Sequence, residues 1–480
     1  LVRVSRLPRR VWTPEAVEGI VHEFTRLLKT PEGEMTLRPI QAVALYEIAE
    51  QGGLFGVMSC GAGKTLVAFL APVVYGAKRP LLLVPAGLMG KTLRDRERLQ
   101  RHWLLPELNI ESYDLLGRVQ AADLLDQYDP DLLVCDEVHK LKYVSDSAVA
   151  KRTRRWFREH PRTGCVAMSG TMTKRSLHDF VHILFWCLPP GSVPLPRVYS
   201  DLESWADALD ERKVQDRRRD PGALKVLCNE EELGIWEQDR RFAARRAFRR
   251  RLVETAGVVA TYEAAVDASL TINAVEPTVS SVIDDAFAKL RTDWELPDGQ
   301  TVLDGLGMFR HARELAAGFY YRWATPAPQH WLEARRKWAA FVRRQLGHPR
   351  KLDSELQVAL QFPATAELVE WRRVEKDYEP ETAAVWLDDG VLKFAAEWAA
   401  EHRGIVWVEH TCVGERLADD FGFAYYGKEG LTCDGRYIED HPTNAPLVAS
   451  IHSNREGRNL QAWSTNLILS PLPDGERTEQ

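Results

Sequence analysis

The stretch Leu54 to Leu70, LFGVMSCGAGKTLVAFL, decides how this chain is read. An apolar run, Leu54 to Val57, has the makings of a buried strand, and it turns through a glycine-rich loop into an apolar-rich helix. Gly61 and Gly63 allow positive φ, so successive backbone N–H groups converge on one hollow, and the helix N-terminus behind them adds partial positive charge. Such a hollow cradles phosphate. Lys64 would then reach the β- and γ-phosphates and Thr65 would place its hydroxyl on Mg²⁺. The pattern G-x-x-x-x-G-K-[ST] is not complete, because Met58 stands at its first glycine. A bare GKT also occurs in unrelated turns; here the strand before it and the helix after it supply the context the chemistry demands.

Downstream, residues 54 to 171 alternate strand-like and helix-like patterns, which predicts a parallel sheet with crossover helices. PLLLVPAGLMGKT (80–92) puts Gly87, Gly90, Lys91 and Thr92 at the carboxyl end of a strand, where ligands bind in open α/β sheets. PDLLVCDEVHKL carries Asp136 and Glu137 after four apolar residues. Two adjacent carboxylates there are costly unless solvated or faced by positive charge. With a phosphate loop upstream, Asp136 would hold Mg²⁺ through water and Glu137 would position the attacking water as base. A third strand, TGCVAMSGT, ends in Ser169-Gly170-Thr171. Before the loop, Leu37, Ile40, Val43, Ala44 and Ile48 form an apolar helical stripe stopped by Gly52-Gly53. Gln41, near its start, would either read an adenine edge with its amide or simply face water.

At 480 residues the chain suggests about two or three domains. Its apolar and charged fractions, 45% and 28%, are those of a globular protein. A net charge of −6 argues against coating nucleic acid by bulk charge, though a local basic track is compatible with it. The seven cysteines form no C-x-x-C pair and fit reduced core residues. Apolar windows fall short of the roughly 18 residues that a membrane helix needs, so no membrane association and a cytoplasmic location are expected. Residue 1 is Leu, not Met.

Taken in order, GxGKT, DEVH and SGT, each at a strand end, resemble the motifs of superfamily 2 helicases and translocases, with a DEAD/DEAH-like acidic motif. The resemblance is closest to the branch of the Swi/Snf-type ATPases and their phage-encoded DNA helicase relatives. It covers residues 35–190 and 400–480. It implies an α/β fold of two RecA-like parallel-sheet lobes, ATP and Mg²⁺ as ligands, DNA as partner, and hydrolysis coupled to movement. In its terms Gln41 contacts adenine, Cys60, Gly61, Ala62, Gly63, Lys64 and Thr65 are the phosphate motif, and Lys91 and Thr92 lie near the first nucleic-acid motif. Ser169 and Thr171 would couple hydrolysis to motion. A P-loop NTPase acting elsewhere, an RNA helicase and an inactive scaffold are the alternatives. Oligomeric state is not legible.

The expected domains are an extension at 1–34, a first lobe at 35–195, a mostly helical region at 196–395 and a second lobe at 396–480. Within the helical region, Arg240 to Arg251 holds seven arginines, with Arg241, Arg245 and Arg249 on one face. A solvated face and a phosphate-tracking face both fit this pattern. Phe319-Tyr320-Tyr321-Arg322-Trp323 fits either base stacking or a core. From Gly404 the alternation of strand and helix returns. The stretch EGRNLQ (456–461) would contact nucleic acid, with Asn459 as its candidate, although the family's usual glycines at Asn454 and Arg455 and leucine at Arg458 are absent. The family's next motif, Q-x-x-G-R-x-x-R, would begin at Gln480. The chain is therefore expected to be incomplete there, with Arg455 and Arg458 the nearest arginines able to take that role.

Overall fold

The computed structural model describes residues 1–480 apart from 60, 143–146, 171–175, 211–218, 262–270, 347–351, 353, 380, 455–456, 459 and 471–480. The chain forms two compact units, Leu1–Leu270 and Thr271–Gln480. The boundary falls inside the 196–395 stretch, whose first part belongs to the first unit and whose remainder belongs to the second.

The first unit is built on β1 (Gly53–Val57), β2 (Pro80–Val84), β3 (Asn109–Ser112), β4 (Leu132–Asp136), β5 (Gly164–Ser169) and β6 (Val258–Ala260). All pairings are parallel, in the order β3-β2-β4-β5-β1-β6. Except for the edge strand β3, which is polar and only half-buried, the strands read as apolar runs because both sheet faces are covered. Alternate residues enter opposite cores: Leu82, Val134 and Val166 on one side, Leu83, Cys135 and Ala167 on the other. Since β5 lies between β4 and β1, the three strand ends bearing the carboxylates, Ser169 and the phosphate loop are neighbours. Register fixes their heights, with Val57 opposite Ser169 and Asp136 opposite Met168.

The N-terminal segment belongs to this unit. Thr13 caps the helix Pro14–Leu28, which packs on the helix Pro39–Gln51. The Arg251 side chain, 1% exposed, donates to the carbonyls of Val4, Leu7 and Pro8, and so ties the segment to the end of the arginine-rich helix Arg240–Val253.

In the second unit, β7 (Phe319–Trp323) and β8 (Thr382–Trp386) form an antiparallel pair. Between them lie three helices, Gln329–Gln345, Glu355–Gln361 and Ala366–Val374, around Trp331, Trp338 and Trp371. Phe319 and Tyr320 are buried, so they serve the core. A four-stranded parallel sheet follows, of β9 (Ile405–Val408), β10 (Tyr425–Tyr426), β11 (Leu447–Ser450) and β12 (Asn466–Ile468) in the order β10-β11-β9-β12. The architecture is α/β with two parallel sheets. Among the described residues no helix is long and apolar enough to cross a membrane.

Candidate nucleotide-binding and hydrolysis site

The loop after β1 bends as its glycines predict, with φ 79° at Gly61 and 82° at Gly63. Gly63 starts the helix Lys64–Tyr75, and no side chain caps that helix's first turn. Met58 donates its N–H to the Ser169 carbonyl at 3.1 Å, which carries the β1–β5 pairing one residue past Val57. Its side chain is fully buried and its backbone is outside the left-handed region, so no glycine is needed at that position. The Ser59 hydroxyl is buried with no hydrogen-bond partner among the described residues.

Two residues upstream hold the loop in place. Gln41 accepts the Arg38 N–H at 2.8 Å and donates through Nε2 to the Gly63 carbonyl at 3.2 Å, while the Arg38 guanidinium donates to the Gly61 carbonyl. A Cβ on Gly63 would strike the Gln41 amide. Both ends of that amide therefore fasten the loop to the start of the helix Pro39–Gln51.

Across the strand ends, Lys64 and Glu137 form an ion pair at 3.4 Å with both side chains 9% exposed. Lys64 Nζ also donates to the Met58 carbonyl at 3.2 Å, placing its charge inside the loop. The other oxygen of Glu137 accepts the Ser169 hydroxyl at 3.1 Å and lies 3.2 Å from His139 Nδ1, which is itself 3.0 Å from Ser169 Oγ. Asp136 Oδ1 accepts the Glu137 N–H at 3.0 Å. Burial, and then the Glu137 charge, pushes the Asp136 carboxyl up to about 6. Burial resists ionisation of Glu137 as well, but the His139 hydrogen bond and Lys64 outweigh it and bring that carboxyl down to about 2. Glu137 is thus ionised, as a base must be, and Asp136 is the first of the two to take up a proton as pH falls.

These residues fit a nucleotide with Mg²⁺. An uncapped helix start, a buried ammonium inside the loop and an unpartnered buried hydroxyl, Ser59, suit phosphate. The half-buried Thr65 and the Asp136 carboxyl, which accepts the Glu137 N–H, supply the oxygen ligands that Mg²⁺ takes.

The remaining expected residues are placed less simply. Lys91 pairs with Asp95 at 2.8 Å in the helix Met89–Leu99 and its charge also acts on Asp136. Thr92 is buried and donates to its own helix at the Leu88 carbonyl, 2.8 Å away. Arg241 and Arg245 are half-buried and donate to the carbonyls of Arg219 and Leu209, at 3.1 and 2.6 Å, whereas Arg249 is exposed. The three are therefore not one open cationic face. Arg458 is 1% exposed in its side chain and pairs with Glu439 at 2.8 Å. Cys60, Thr171, Arg455, Asn459 and Gln480 lie outside the described residues. Sequence reasoning missed the part played by Arg38, three residues before Gln41.

No family model and no curated protein matches this chain. Among solved structures it is similar to the Sulfolobus solfataricus SWI2/SNF2 ATPase core in complex with dsDNA, at 12% identity and TM-score 0.33, over 91% of this chain and 82% of that one. It is also similar to the Pyrococcus furiosus Hef helicase domain, at 13% identity and TM-score 0.34, over 92% of this chain and 91% of that one. Likeness this distant carries no chemistry, which rests on the Lys64–Glu137–Ser169 geometry.

Proposed function

We propose that this protein is an ATP- and Mg²⁺-dependent motor on DNA, a helicase or a double-strand translocase. The observation that carries the reading is the buried contact of Lys64 and Ser169 with one carboxylate, Glu137, at three neighbouring strand ends. In this reading Lys64 leaves Glu137 for the terminal phosphates, and the freed Oε1 accepts a proton from the attacking water. Thr65 and Asp136 would hold Mg²⁺, whose charge would offset that of the phosphates. Ser169 and His139 keep the carboxylate aimed, and Ser169, standing on β5 beside the phosphate loop, registers whether Glu137 has lost its lysine. Gln41 and Arg38 keep the loop bent; adenine contact by Gln41 would require its amide to exchange a backbone partner for the base. DNA as the track is inferred from the motif resemblance, and phage origin likewise.

The test is ATP turnover measured alone and with single-stranded DNA, duplex DNA and RNA. Stimulation by DNA is expected. Turnover indifferent to every nucleic acid would leave a P-loop NTPase and remove the motor, and stimulation by RNA alone would replace the track.

A further inference from the structure

The turn carrying Glu137 is held in a conformation that a glutamate adopts only under restraint. Glu137 has φ 50° and ψ 50°, in the left-handed region that costs an L side chain energy. Two backbone-level bonds hold it: the Glu137 N–H to Asp136 Oδ1 at 3.0 Å, and the Lys140 N–H to the Glu137 carbonyl at 3.1 Å. The first competes with the role given to Asp136, because the carboxylate that would hold Mg²⁺ is also the acceptor. A third restraint comes from outside the turn. The ladder between β2 and β4 stops at Leu83 and Cys135, and the next carbonyl of β4, that of Asp136, accepts the Tyr113 hydroxyl at 2.7 Å. Tyr113 is 3% exposed and follows β3, which is separated from β4 by β2, so its ring spans the end of an intervening strand. Its own position is fixed by Ser112, whose hydroxyl caps the helix Tyr113–Gly117 at the Leu115 N–H, 3.1 Å away, and by the fully buried Leu116.

We propose that Tyr113 is a positioning residue for Glu137: by holding the Asp136 carbonyl where β2 no longer does, it fixes the 136–137 peptide and keeps the Glu137 carboxylate against Lys64 and Ser169. This rests on the hydrolytic reading above. Without the hydroxyl, a buried carbonyl loses its donor. The peptide then turns toward water, Glu137 relaxes out of the left-handed region, and the carboxylate leaves its partners.

Tyr113→Phe keeps the ring in its apolar site and removes the hydroxyl, which donates to the Asp136 carbonyl and also meets the Cys135 thiol. In the 480-residue protein without nucleotide, amide exchange over residues 136–141 should quicken about tenfold while the rest of the sheet is unchanged. ATP turnover should fall about tenfold with KM for ATP within about twofold, since binding does not depend on the aim of the base. In a Glu137→Gln background the same substitution should change residual turnover by less than about twofold, because its effect passes through Glu137. Unchanged exchange, or equal losses in both backgrounds, overturns the proposal. A wild-type protein with no ATP turnover would instead defeat the hydrolytic reading, and the exchange result alone would then decide whether Tyr113 holds this turn.

Discussion

Replacing Lys64 by Ala removes an ammonium 3.4 Å from a carboxylate that is equally buried. At an effective dielectric constant of about 20, Coulomb's law gives such a pair about 5 kcal/mol. Desolvation of both ions offsets part of that. In Lys64→Ala the carboxylate keeps His139 and Ser169 but loses its ammonium, so the coupling between the two positions should be about 2–4 kcal/mol. For a body of this size, 1 kcal/mol moves the melting temperature by about 2–4 °C, and Lys64→Ala should lower it by roughly 5–15 °C. Glu137→Gln alone should lower it less, because removing that charge also relieves Asp136, whose carboxyl it holds up. The double variant Lys64→Ala/Glu137→Gln, with neither charge left unpaired, should recover at least half of the loss. The same proteins separate the proposed roles: Lys64→Ala should weaken ATP binding about tenfold or more, while Glu137→Gln binds ATP and loses about 10²–10⁴ in turnover. Thermal melts of the four proteins, equilibrium binding of a fluorescent ATP analogue and single-turnover phosphate release measure every term. Additive melting shifts would refute the ion-pair argument, and equal loss of ATP affinity in the two single variants would show that the roles are misassigned.

Three further outcomes are expected. Because Asp136 titrates near 6 and a protonated carboxyl is no ligand, apparent Mg²⁺ affinity should fall about tenfold per pH unit below about 6 and level off above it; calorimetric titration showing no pH dependence between 5 and 7 would contradict this. Arg241→Gln and Arg245→Gln should each cost about 1 kcal/mol of stability, because each loses a bond to a backbone carbonyl, whereas Arg249→Gln should leave the melt unchanged. Of the three, only an arginine that meets DNA phosphate should lower the log–log salt slope of duplex binding, by about 0.9; a full reduction by all three would restore the cationic-face reading. Arg458→Ala should destabilise the protein by about 2–4 kcal/mol, by leaving Glu439 without its guanidinium, and should leave ATP affinity unchanged; an unaltered melt would show that the pair is not structural.

What the sequence discloses about this molecule follows from which forces are local. The central strands of the first unit are legible because burial on both faces demands apolar runs, and PLLLV and LLVCD can be little else. The turn before Lys64 and Thr65 is legible because its positive φ at positions 61 and 63 demands glycine. The partners of long polar side chains are not legible, since they depend on which carbonyls the finished fold brings within reach. Gln41 reads as an adenine contact and is found on Gly63; Thr92 reads as a nucleic-acid contact and is found on its own helix. Arg245 reads as part of a charged stripe and is found on Leu209, 36 residues earlier in the chain. The Tyr113 hydroxyl depends on where β2 ends relative to β4, a register that only the assembled sheet defines.

At three positions where this chain departs from the resembled motifs, Met58, Asn454 and Arg458, it supplies partners of its own. Met58, standing for a glycine, is a further rung on β5 with its side chain in the core. Asn454, standing for another, is 1% exposed, and its amide donates to the carbonyls of Tyr426, Gly427 and Ser450 at 3.0, 3.1 and 3.1 Å. It thereby joins the end of β10 to the end of β11, work that a glycine has no atoms to do. Arg458, standing for a leucine, lies buried against Gly430, where a Cβ would come within 2.6 Å of the guanidinium, and Glu439 balances its charge. Gly430 itself has φ 71°, so two independent requirements, backbone conformation and room for an arginine, select the same residue. Each of these three departures is thus accommodated by atoms within its own unit. A missing signature residue, where its replacement is hydrogen-bonded or packed in this way, is therefore weak evidence against the fold. By the same reasoning Arg458, buried and paired with Glu439, is a poor candidate for an arginine that must reach a phosphate, because reaching it would break that ion pair.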